Sequence, residues 1–148
     1  MDIVFTKGSG KYDRMEVLRA DGAVEGIDCP KQRIIPHDMV HYAVESTLAR
    51  RGFLTRVREG ERAGFRMQAE AESDGVERLV EVIQGDAWSG GGSPARDMLD
   101  LYRVTCSAHA CPMLEVGAGD IDAIRACMAE LTTQWNALAV GQSLRLTM

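Results

Sequence analysis

Residues 34–52, IIPHDMVHYAVESTLARRG, decide how this chain is read. Pro36 has the preset φ and the missing donor that suit a first helical position. Asp38 puts a carboxylate in the first turn, where unpaired N–H groups and the positive dipole end favour it. Val40, Ala43, Val44, Thr47 and Leu48 recur at three- and four-residue steps and draw one apolar stripe. Arg50 and Arg51 fall in the last turn, where cations suit the dipole, and Gly52 offers a left-handed cap. The stretch predicts one central helix against which the other elements pack.

Upstream, residues 3–8 form a short run with Ile3 and Phe5 on one face, and Gly8-Ser9-Gly10 turns the chain. In residues 12–19 Met15 and Val17 alternate with Arg14 and Glu16. Asp21-Gly22 is a hairpin signal, because the favoured two-residue turn needs positive φ. Residues 23–29 then read as a third strand, stopped by Pro30. Downstream, residues 52–64 are open between a short strand with a turn and the start of a helix. Val76, Leu79, Val80 and Ile83 mark a helix over 76–87, and Trp88-Ser89-Gly90-Gly91-Gly92-Ser93-Pro94 reads as a surface loop. Pro94 and Ala95 open a helix to about Ala108, with Met98, Leu101, Tyr102 and Thr105 on its face. Asp120 is placed as the N-cap of a long helix over 121–140, striped by Ile124, Met128, Leu131, Trp135 and Leu138 and ended by Gly141. Leu144, Leu146 and Met148 then alternate with Ser143, Arg145 and Thr147, the signature of a half-buried strand.

These elements predict one α+β domain over residues 1–148. Its antiparallel sheet has about four strands, three N-terminal and one C-terminal, with helices packed on one face. The net charge of −5 argues against a dedicated nucleic-acid or anionic-membrane binder. No segment approaches the roughly 20 apolar residues that span a bilayer. The N-terminus lacks a charged region followed by an apolar one, so no signal peptide is expected. A cytoplasmic setting with Cys29, Cys106, Cys111 and Cys127 as free thiols follows as the expectation.

Within the central helix His37, His41 and Glu45 stand at successive i, i+4 steps and line one ridge along the border of the apolar stripe. Two neutral imidazoles and a carboxylate are chemically fit to hold Zn²⁺ or a similar divalent metal. The alternative is a structural polar cluster. No glutamate follows His37 directly, so this is not the HExxH pattern of zinc proteases. Cys106, His109 and Cys111 supply two thiols and an imidazole within six residues, without the paired CxxC spacing of a structural zinc site. A helix end with two packed cysteines is the competing reading there. The nucleophile-elbow, phosphate-loop and dinucleotide-binding motifs are missing. Gly8-Ser9-Gly10-Lys11 sits between strands and reads as a hairpin turn.

The run Pro36-His37-Asp38-Met39-Val40-His41-Tyr42-Ala43-Val44-Glu45 resembles a PHDxVHYxVE block of small uncharacterised bacterial proteins. The end of the chain, QWNALAVGQSLRL over residues 134–146, resembles their helix-to-strand closing segment. The resemblance implies a bacterial cytoplasmic protein and brings no activity with it. Two functional readings stand: a non-enzymatic domain that binds a protein or small-molecule partner, homo-oligomerisation included, and a metal-dependent hydrolase or lyase. In the second, a divalent metal is the cofactor and His37, His41 and Glu45 are its ligands or acid–base groups.

Overall fold

Tight turns bring the N-terminal strands together. Ala23 N–H donates to the Asp21 side chain at 2.9 Å, Gly22 adopts φ +87°, and Arg19 N–H bonds Ala23 O, which closes a hairpin. The computed structural model describes residues 1–64 and 66–148. Among these, the order is β1 (Asp2–Thr6), β2 (Tyr12–Leu18), β3 (Val24–Pro30), α1 (His37–Leu48), α2 (Phe53–Arg58), α3 (Ala71–Trp88), α4 (Ala95–Ala108), α5 (Ala118–Asn136) and β4 (Ser143–Thr147). The strands form one antiparallel sheet in the order β3-β2-β1-β4. This is the expected α+β fold. No helix among the described residues is long and apolar enough to cross a membrane.

The period-two alternation of the strands sorts the two faces of the sheet. Ile3, Phe5, Met15 and Val17 are wholly buried on the helix side. On the other face Arg14 pairs with Asp28 at 3.3 Å, and Arg145 Nε reaches Asp2 at 3.0 Å. β4 covers the free edge of β1, held at its ends by Gly141 N–H to Lys7 O and Met148 N–H to Met1 O. α1 is the central helix, in contact with α2, α3 and α5, while α4 rests on α3 and α5.

Helix ends differ from expectation in five places. α3 starts at Ala71, ahead of the stripe that begins at Val76, where Arg56 Nη1 donates to Gln68 O and Ser73 Oγ. Pro36 is the N-cap of α1, and its carbonyl accepts from Met39 and Val40. The left-handed C-cap is Ala49, at φ 52°, whereas Gly52 has φ −113° and caps α2. Gly52 is demanded by space: a Cβ there would stand 2.5 Å from Glu45 Cδ and 2.6 Å from Val76 Cγ1. Arg50 and Arg51 lie beyond the last turn of α1, and Arg51 Nε bonds Glu59 at 2.8 Å. Asp120 caps α5 from its third position, accepting from Gly117 N–H at 2.8 Å, and Gly117 is the N-cap. α5 stops at Asn136, well short of 140, where Lys7 Nζ donates to the Trp135 and Leu138 carbonyls at 2.8 and 3.0 Å. That ammonium lies 5.1 Å from the Trp135 ring centre and satisfies carbonyls that a longer helix would have used.

In α4 the buried face is Met98, Tyr102 and Cys106, and Leu101 is exposed. Tyr102, fully buried, donates its hydroxyl to Gly75 O at 2.8 Å and accepts from Leu114 N–H at 3.1 Å. It therefore joins α4, α3 and the segment after α4. Tyr102→Phe strips Leu114 N–H of its acceptor inside the fold, and the expected loss is about 1–3 kcal/mol of stability in urea unfolding. An unchanged midpoint would mean that Leu114 finds water instead.

Candidate metal centre

α1 buries Met39, Val40, Ala43 and Val44 on its core face. His41 and Glu45, expected at the border of that face, are buried as deeply, because α2 and α3 close over the flank. The Glu45 carboxylate accepts from the backbone N–H groups of Gly52 (3.1 Å), Leu54 (3.1 Å) and Thr55 (2.8 Å). It also takes the Thr55 hydroxyl at 2.8 Å and His41 Nδ1 at 3.1 Å. α2 begins at a glycine with no capping side chain, so a carboxylate from α1 serves its unpaired donors and positive dipole end.

His41 thus has Nδ1 on Glu45, and its Nε2 lies 2.8 Å from Glu77 Oε2 on α3. His37 follows the same plan. Its Nδ1 stands 2.9 Å from Gln84 Oε1, and its Nε2 faces Glu77 Oε1 at 3.5 Å. The Gln84 amide cannot be turned round without cost, since its oxygen also accepts from Gln32 Nε2 at 3.0 Å. Gln32 is oriented in turn by donating to Ile35 O at 2.8 Å. With an acceptor in front of each Nδ1, both rings carry that proton, and in the neutral form both Nε2 lone pairs face one carboxylate. The two rings meet edge to face, with centroids 4.9 Å apart.

One candidate ligand atom each from His37, His41 and Glu77 lies within 4.8 Å of the others. Nitrogen and oxygen ligands about 2.0–2.2 Å from a tetrahedral metal stand roughly 3.3 Å apart, so the three side chains would have to draw in to share one ion. Imidazole nitrogens select a transition metal over Mg²⁺ or Ca²⁺, which take oxygen ligands. The group also has a proton-bound form. Burial alone would lower the His41 pKa, but the Glu45 and Glu77 hydrogen bonds outweigh it and hold it up at about 10. Burial would raise the Glu77 carboxyl, yet hydrogen bonds from His37 and His41 bring it well below the usual range. His37 is raised, chiefly by its hydrogen bond to Glu77. Asp38, close by, is raised by burial in spite of both histidines.

Of the ridge read from the sequence, His37 and His41 converge, while Glu45 sits behind His41 with its oxygens engaged by α2. Glu77, which completes the group from the front, was absent from that reading. A glutamate beside the Val76, Leu79, Val80 and Ile83 stripe looks solvent-facing, and its pairing with Gln84 two turns on along α3 was the available signal. His109, from the second cluster, bonds Arg78 through Nδ1 at 2.7 Å, and no metal-competent grouping of it with Cys106 and Cys111 occurs among the described residues. Gly8-Ser9-Gly10 is the β1–β2 turn, as expected, with Gly8 N–H on Asp13 at 2.9 Å.

Two outcomes follow. Glu45→Ala leaves three backbone donors and His41 without their acceptor in a closed interior, and should cost about 3–5 kcal/mol by urea unfolding. For the metal-free protein, stability should change with pH in a defined sense. The folded His41 pKa exceeds the ordinary 6.5, so its contribution is complete below 6.5 and is lost as pH rises toward 10. Glu77 is depressed below its ordinary 4.5, so its contribution is present above 4.5 and is lost as pH falls below that value. Unfolding midpoints measured from pH 4 to 10 should therefore be highest near pH 5–6 and decline on the alkaline side; a flat alkaline limb would contradict a charged His41.

No protein-family model matches this chain, and no curated protein or solved structure is significantly similar to it.

Proposed function

We propose that this protein binds a divalent transition-metal ion, zinc in the first instance, through His37 Nε2, His41 Nε2 and the Glu77 carboxylate. One observation carries this: each Nδ1 is held by an acceptor oriented by its own surroundings, so that both Nε2 atoms aim at the same carboxylate. Glu45 and Gln84 take the part of outer-shell partners, which set the tautomer and raise the basicity of metal-binding histidines. In the metal-free protein His41 carries both protons and bridges Glu45 and Glu77, and it is the neutral form that would bind the ion. Replacing buried ionic groups by apolar side chains often leaves stability unchanged or improved.

Three protein ligands leave a further coordination position for water or substrate, the arrangement of catalytic rather than structural zinc. Glu77 also lines a cleft of about 690 Å³ with Phe53, Arg56, Met67, Gln68 and Asp74, so the centre borders a space that a small molecule can enter. A metal-dependent hydrolase or lyase is the enzymatic form of this reading. A second reading, small-ligand binding without chemistry, is favoured by a separate cavity of about 480 Å³. Ile34, Ile35, Ile83 and Met128 supply its apolar wall, and Arg33 and the Arg125–Asp86 ion pair supply charge.

Purified protein loaded with zinc and dialysed should retain one equivalent by elemental analysis. His37→Ala and Glu77→Gln, both at half-exposed positions, should abolish retention while leaving the fold intact. Glu45→Gln should weaken affinity about 10- to 100-fold through His41 alone. Because the ion displaces the proton on His41 Nε2, apparent affinity should climb with pH below 10, about tenfold per unit where His37 is neutral and more steeply where His37 is also charged. Binding that is substoichiometric, or indifferent to His37→Ala and Glu77→Gln, overturns the proposal.

A further inference from the structure

We propose that Cys106 and Cys111 are an oxidisable pair that closes into an intrachain disulfide across the C-terminal cap of α4. The proposal is independent of the metal centre. Its basis is the way α4 ends. Ala110 adopts φ 52°, and Cys111 N–H returns to Cys106 O at 3.0 Å, the long backbone bond of a left-handed helix cap. Residues joined by such a bond commonly bring their side chains together, usually as an apolar contact. Here the residues at those two positions are both cysteines with free thiols. A direct backbone hydrogen bond also keeps the two Cα atoms inside the limit of about 7 Å that a disulfide requires. The other cysteines, Cys29 on β3 and Cys127 on α5, belong to other elements.

The two thiols have unequal surroundings, which assigns their roles. Cys111 is partly exposed and meets the oxidant, whereas Cys106 is buried beneath it. With hydrogen peroxide, Cys111 Sγ as thiolate attacks one peroxide oxygen, the O–O bond breaks, and hydroxide leaves to become water. The product is a sulfenic acid on Cys111. Cys106 Sγ then attacks that sulfur, the S–S bond forms, the S–O bond breaks, and the hydroxyl departs as water with the Cys106 proton. Two thiols and one peroxide become one disulfide and two waters. Burial, above all, pushes the Cys106 thiol up to about 11, against the pull of Arg78. The first step therefore belongs to Cys111, and the second relies on proximity. A reductant attacking the accessible Cys111 sulfur must expel a high-pKa Cys106 thiolate, a slow leaving group, so the bond should outlast brief exposure to a monothiol.

The test oxidises the full-length, metal-free protein with a small excess of hydrogen peroxide, alkylates remaining thiols under denaturing conditions, and maps peptides by mass. The expected result is a Cys106–Cys111 cross-link, with Cys29 and Cys127 still alkylated. The melting temperature should rise by about 5 °C, as closing a short loop in a domain of this size implies, and should fall back after dithiothreitol. Cys111→Ser, a near-isosteric change at a partly exposed site, should leave the unoxidised melting temperature unchanged and remove the shift. Cys106→Ser should trap the sulfenic acid on Cys111, detectable with a dimedone-type probe. Alkylation of all four cysteines after oxidation, a cross-link through Cys29 or Cys127, or overoxidation of wild-type Cys111 without a cross-link each overturns the proposal.

Discussion

Glu45 is the constraint on which the middle of this molecule rests. α2 spans only six residues, far below the length at which a helix holds itself together in water, and its N-cap is a glycine. What stabilises it is the carboxylate from α1, which takes three of its N-terminal donors and the Thr55 hydroxyl. The same carboxylate orients His41. One side chain thus determines where α2 sits, which way an imidazole faces, and why Gly52 admits no Cβ. Its burial is tolerable because its oxygens are saturated with hydrogen bonds; unpaired, the charge would cost several kcal/mol.

Two buried polar groups of this protein differ in how their partners are used. Arg56 is also buried, and it too has donors to satisfy. Its guanidinium meets Glu61 at 2.5 and 2.8 Å, Gln68 O at 2.7 Å and Ser73 Oγ at 3.1 Å, pinning the segment between α2 and α3 onto α3. Every partner of Arg56 is accounted for by that task. The His37, His41 and Glu77 group differs, since Glu77 and His37 remain one-third or more exposed. Its two histidines are oriented from behind, by Glu45, which also serves the start of α2, and by Gln84, which also holds Gln32. Two imidazoles aimed at one carboxylate are the preorganised arrangement that the proposed metal centre requires.

Much of the fold was legible in the sequence, because it rests on local periodicity. Alternation in residues 12–18 and 143–147, the Asp21-Gly22 turn and the stripes of α1, α3 and α5 correspond to the elements observed. The errors lie where a partner distant along the chain decides. Gly52 looked like a helix stop, and nothing within five residues of it reveals that Glu45 and Val76 occupy the space of its side chain. α5 ends early where Lys7, from the other end of the chain, takes the carbonyls of Trp135 and Leu138 on either side of its last residue. The histidine ridge was visible at i, i+4 spacing, but periodicity sees one helix at a time. Glu77 enters from a second helix, and the hydrogen bonds that separate Glu45 from Glu77 in role come from a third.

α3 is the element on which these separate features converge, and its composition shows it. Gly75 lies in the helix, where glycine costs roughly 0.5–1 kcal/mol relative to alanine. A Cβ at that position would stand 3.1 Å from both Pro112 O and Leu114 Cγ, and the Gly75 carbonyl receives the Tyr102 hydroxyl. The loss in helix propensity is offset by the close seating of residues 112–114, which follow the Cys106–Cys111 cap directly. Two residues further along the same helix, Glu77 faces the histidines. A helix that carries a glycine for contact on one side and a glutamate paired with two imidazoles on another has little freedom to shift along its axis. That fixed position is what allows a carboxylate from α3 to meet two imidazoles from α1 in register.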